Sequence, residues 1–88
     1  MMGNWDLMVL GVEAQAGGRF TRGEAAQFLQ IVQAYPFRVE AGNLISKPDK
    51  ASLADKGLIA PKYGDDFHLT DKGRELAVEL RLLEAVEG

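Results

Sequence analysis

The chain has 88 residues, enough for one domain and too few for two, since domains usually run to about 100–150 residues. Hydrophobic residues make up 47% and charged residues 26%, near the averages for globular proteins, which excludes a disordered or fibrous chain. There is no cysteine, which excludes a disulfide framework, a zinc ribbon and any thiol nucleophile and favours a cytoplasmic location. The formal net charge of −3 argues against a generic polyanion binder, but it is unevenly spread. Residues 1–45 balance at −1, residues 46–74 at +1, and residues 75–88 at −3, so the acidity belongs to the tail.

Asn4 can cap a first helix on which Trp5, Met8, Val9 and Val12 recur at helical spacing, with Leu7 and Leu10 widening the stripe. The apolar run Trp5–Val12 is eight residues long, contains Asp6 and lacks a basic flank. It therefore reads as a buried core helix and not as a leader or a membrane span. Gly17-Gly18 ends it, and Arg19-Phe20 follows as a link or a one-bridge strand. Thr21 and Glu24 have capping-box spacing and open a second helix, with Ala25, Phe28, Leu29 and Val32 on one face and Ile31 and Tyr35 beside it. Pro36 stops that helix at about Ala34.

Phe37 and Val39 alternate with Arg38 and Glu40, and Gly42-Asn43 marks a turn. Ser46 as cap, Pro48 early in the first turn and Asp49 near the positive end then predict a third helix to Lys56, stopped by Gly57. Leu58-Ile59 and Phe67–Leu69 flank the turn residues Tyr63-Gly64-Asp65-Asp66 and predict a hairpin. Thr70 and Asp71 begin a last helix, expected over about 71–86.

Two stretches carry a resemblance: Leu53-Ala54-Asp55-Lys56-Gly57-Leu58-Ile59, and Leu69-Thr70-Asp71-Lys72-Gly73-Arg74-Glu75-Leu76. Together with the hairpin between them, they resemble the winged helix-turn-helix superfamily, in particular regulators of the MarR and PadR type. The close match covers residues 53–76, and the helix order extends it loosely toward residue 4. The resemblance implies a mainly α fold with a small β-hairpin, a single winged helix-turn-helix domain over residues 1–88, DNA binding through the third helix and the wing, and dimerisation through a terminal helix. Two features depart from the pattern. Lys50, Asp49 and Ser46 stand where such a recognition helix carries apolar residues, and Pro48 interrupts the turn, so the third helix is expected to be short or offset, with Leu44 and Ile45 supplying core contacts. Phe37–Asn43 looks like an insertion before the third helix.

On this framework Lys47 and Lys50 share an exposed face, where they can neutralise phosphates while Ser46 or Asn43 reaches base edges. Lys62 and Tyr63 at the wing can touch the backbone or a minor groove, although Asp65 and Asp66 beside them repel phosphate. The same lysines also fit a plain solvated helix face. On the last helix, Leu76, Leu80 and Leu83 form one apolar stripe, and Val78, Leu82 and Val86 form a second on the opposite side. A second stripe suits a homodimer or a protein partner, or a helix wedged into a small domain.

Asp65, Asp66 and His68 lack the second nitrogen ligand that a metal site of this kind needs, so His68 reads as an outward-facing strand residue and no metal is expected. Neither serine has a nucleophile motif around it and no phosphate-binding glycine loop is present, so no enzyme activity and no cofactor are expected. Two functions stay open. One is a small prokaryotic or phage-type DNA-binding transcriptional regulator. The other is a winged helix that binds protein without DNA, as an adaptor or as a phage-encoded inhibitor of a host complex.

Overall fold

The computed structural model describes residues 3–62 and 64–84, with Lys62 represented by its backbone. Helix α1 (Asn4–Gln15) starts from Gly3 and not from the expected Asn4 cap. The Gly3 amide donates to Asp6 Oδ2 at 3.3 Å, so the first-turn acid satisfies the cap residue's own N–H. The buried stripe of α1 is narrower than its composition suggests: Val9 and Val12 are buried and Trp5 packs at the edge, whereas Leu7 (55%) and Met8 (43%) face outward. Gly17 and Gly18 take left-handed φ values of 60° and 89° and turn the chain.

The expected one-bridge strand at Arg19-Phe20 does not form. Phe20 is buried instead, its ring 5.2 Å from that of Phe28. The bridge lies at Val39, which exchanges two 2.8 Å backbone hydrogen bonds with Phe67. The extended stretch after the second helix therefore reaches the edge of the two-stranded hairpin through this single bridge.

Helix α2 (Arg22–Ala34) begins with the anticipated capping box: the Thr21 amide donates to Glu24 Oε1 at 2.9 Å, and the Glu24 amide to Thr21 Oγ1 at 3.2 Å. Ala25, Phe28, Leu29, Ile31 and Val32 are all buried, so this helix is walled in on more than one side. A 3-10 turn over Ala41–Asn43 follows. Of the two residues expected to fill the core next, Leu44 is buried and Ile45 is 51% exposed.

The third helix is short and starts later than Ser46. Lys47–Asp49 form a 3-10 turn that holds Pro48, and α3 proper is Lys50–Asp55, anchored by the fully buried Leu53. Ser46 does not cap it through a backbone bond; its hydroxyl donates to the Asp49 carboxylate.

Strands β1 (Ile59–Lys62) and β2 (Asp66–Leu69) pair antiparallel with Ile59 opposite Leu69 and Lys62 opposite Asp66. Thr70 then ties three elements together. Its hydroxyl accepts from the Gly73 amide (3.0 Å) at the start of helix α4 (Asp71–Glu79) and donates to the Gly57 carbonyl (2.6 Å). Gly73 is required by space: a Cβ there would overlap the Leu58 carbonyl oxygen and lie 2.8 Å from Leu69 Cδ1.

Helix α4 stops at Glu79, well short of the expected 86. Leu82 N–H bonds Ala77 O at 2.8 Å and Arg81 N–H bonds Val78 O at 3.0 Å, a Schellman closure with Arg81 at φ 62° in the glycine-favoured position. The closure turns Leu82 and Leu83 back against the apolar core. The stripe of Val78, Leu82 and Val86 is therefore not a continuous helical face: Val78 is half-buried, Leu82 packs inward, and Val86 lies outside the described residues. Among the described residues, no helix is long and apolar enough to cross a membrane.

Gly73→Ala is expected to cost about 3 kcal/mol, because the methyl group meets backbone that cannot move aside. Arg81→Gly is expected to gain about 0.5–1 kcal/mol by relieving the left-handed side-chain contact. Urea unfolding of both variants checks the two signs.

Candidate nucleic-acid interface

The segment expected to meet DNA is held from below by α2. Glu24, Gln27 and Gln30 stand three residues apart and form a polar ridge on an otherwise apolar helix. Gln27 is fully buried; its Oε1 accepts the Ser46 amide at 2.8 Å, and its Nε2 donates to Gln30 Oε1 at 2.8 Å. Gln30 in turn accepts the Ile45 amide at 3.0 Å and donates to the Asn43 carbonyl at 2.8 Å. The two amides thus satisfy the main chain of residues 43–46 where neither helix nor strand is available to do so.

Glu24 performs the same service for α3. Its buried carboxylate accepts from the Thr21 amide, from the Ser52 hydroxyl at 2.8 Å and from the Lys56 ammonium, which also donates to the Arg19 carbonyl at 3.0 Å. Burial alone raises the Glu24 carboxyl, but the Lys56 ammonium, the Thr21 amide and the Ser52 hydroxyl outweigh it and hold the group at about 2. Lys56 also sits 5.5 Å from the centre of the Phe20 ring. Gly23 lets the 3-10 turn approach: a Cβ there would collide with the Asp49 carboxylate, whose Cγ lies 2.9 Å from that position.

On this support Asn43, Ser46, Lys47 and Lys50 fall on one stretch of chain. Asn43 and Lys47 are exposed, whereas Ser46 and Lys50 are half-buried. The Lys50 ammonium lies 5.9 Å from the Phe67 ring centre, which links the third helix to the hairpin. Lys62 is paired through its backbone with Asp66; its side chain and Tyr63 lie outside the described residues.

The ion pairs among the described residues are Arg19–Glu79 (2.9 Å), Arg22–Glu13 (3.2 Å), Arg38–Asp66 (2.6 Å) and Lys56–Glu24, and none involves Lys47 or Lys50. Asp65 is exposed at the hairpin tip, and Asp55 and Ala51 are exposed on α3. His68 is half-buried and not outward-facing; its Nδ1 is buried without a hydrogen-bond partner. It lines a cavity of about 380 Å³ with Tyr35, Pro36, Phe37 and Arg38.

The supporting residues Gln27, Gln30 and Lys56 were not singled out by sequence reasoning. The available signal was a glutamine recurring at 27, 30 and 33 inside the run Ala25–Ala34, a spacing that puts amides on a face the apolar residues already crowd. Family models, curated proteins and solved structures offer no match to this chain.

The Glu24 carboxyl ionises at about 2 in the folded chain against an ordinary 4.5. Its contribution, about 3 kcal/mol, is therefore complete above about pH 4.5 and lost as pH falls toward 2. The gap in unfolding free energy between the parent and Glu24→Gln is expected to close over that window, as read by urea denaturation at stepped pH.

Proposed function

We propose that the protein is a winged-helix-like DNA-binding regulator that docks the stretch Asn43–Lys50, with the adjoining hairpin, onto duplex DNA. The order helix, helix, short helix, hairpin, helix supports this reading. So does the single bridge that Val39 makes to β2. The observation that carries it is the pair Lys47 and Lys50: ammonium groups without carboxylate partners, directly after a stretch, residues 43–46, whose backbone is held by the side-chain amides of Gln27 and Gln30. Two acids in the neighbourhood are paired with other cations, Glu24 with Lys56 and Asp66 with Arg38, and Asp49 accepts the Ser46 hydroxyl, while Asp55 and Asp65 stay exposed. Phosphate is the natural partner for compact ammonium charges so arranged.

The test is fluorescence anisotropy of labelled duplexes at low salt. The parent is expected to bind, and the double variant Lys47→Glu, Lys50→Glu to lose binding while its far-UV circular dichroism stays that of the folded parent. Lys47→Glu alone, which touches no core contact, is expected to weaken binding with its melting temperature unchanged. No anisotropy change by the parent on any duplex overturns the reading.

The protein-binding alternative is favoured by one observation: Phe37 is 77% exposed at the rim of the cavity that His68 lines. An aromatic side chain this exposed is an anchor of the kind that protein interfaces bury. Under this alternative, a partner retained by the parent from the source organism's lysate is lost on Phe37→Asp. DNA binding that survives Phe37→Asp with no retained partner excludes it.

A further inference from the structure

We infer that this docking, which rests on the DNA reading above, engages the phosphate backbone of the duplex and does not read base edges. The third helix is too short for the alternative. The six residues of α3 span about 9 Å at 1.5 Å per residue, fewer than two turns, so only two or three of its positions can face a groove at once. Its exposed positions are equally unsuited. Ala51 has no polar atom, and Asp55 is an anion that a phosphate wall repels.

Asn43 apart, the described hydroxyls and amides near this segment that could read bases are already committed within the fold. The Ser46 hydroxyl donates to Asp49, and the Ser52 hydroxyl donates to Glu24. The amides of Gln27 and Gln30 hold the backbone of residues 43–46 and each other. Releasing any of these to meet a base leaves a protein group unsatisfied, so base contact gains nothing it does not lose.

Lys47 and Lys50 remain, and an ammonium on a flexible stem neutralises phosphate without discriminating sequence. Asn43 is the described residue on this stretch whose side chain is exposed and able to form a bidentate contact with adenine. It precedes the third helix by a turn and does not project from it. The protein then regulates by occupying duplex DNA and not by selecting an address on it.

The experiment measures binding of the full chain to three labelled duplexes of unrelated sequence, with salt titrated from 50 to 200 mM. Affinities are expected to agree within about threefold. Two phosphate contacts give a slope near −1.8 in log K against log salt, a fall of about twelvefold over that range. Lys47→Gln is expected to reduce the slope by about one unit. A duplex selected from a random pool that binds more than about thirtyfold tighter than the others overturns the inference while leaving the DNA reading intact. Loss of that preference on Asn43→Ala then identifies the base-reading residue. Absence of binding to all duplexes overturns both.

Discussion

Much of this fold depends on one buried amide. Gln27 is fully enclosed among apolar neighbours, and its carboxamide is acceptable there only because both ends are bonded, to the Ser46 amide and to Gln30. Leaving a group of this kind unsatisfied costs about 1–3 kcal/mol, comparable to the contribution of a good core side chain. The two bonds therefore fix how the chain crosses α2 between Leu44 and Lys47. That crossing sets the start of the third helix, and the third helix sets where Lys50 meets Phe67 on the hairpin. Glu24, three residues earlier on α2, completes the arrangement: its buried carboxylate closes the far end of α3 by pairing with the partly exposed Lys56, and three further hydrogen bonds to the pair make that burial tolerable.

The parts of the fold legible in the sequence are those determined locally. The Thr21–Glu24 box, the Thr70 cap and the end of α2 before Pro36 each depend on residues within a turn of one another, and each forms where expected. The parts that differ depend on distant contacts. The isolated bridge sits at Val39 and not at Arg19-Phe20, because only the later segment runs beside Phe67. The last helix ends early because Leu82 and Leu83 return to the core through a left-handed turn occupied by arginine, where the usual glycine signal is missing. Leu7 and Met8 look like core on periodicity, yet they are exposed, because the buried stripe of α1 narrows to Val9 and Val12. The candidate site was half legible: the exposed lysines were plain, but the glutamines beneath them were masked by the apolar run that contains them.

Charge is organised more tightly than a net value of −3 conveys. Arg38, Lys56, Arg22 and Arg19 are each matched with a carboxylate across separate elements, so the ion pairs bind the second helix to the third and the inserted segment to the hairpin. Exposed pairs such as Arg22–Glu13 add little stability, whereas the buried Glu24 carboxylate makes the packing of α3 sensitive to loss of its Lys56 partner.

The glutamine clamp also sets how the molecule breathes. The amides of Ile45 and Ser46 are shielded by side-chain acceptors and not by a backbone ladder. Their exchange with solvent deuterium is therefore gated by rotation of two glutamine side chains, an opening that leaves α2 intact. Because Gln27 is fully buried, that rotation strips a desolvated amide of its partners, so exchange of these two protons reports on the clamp itself.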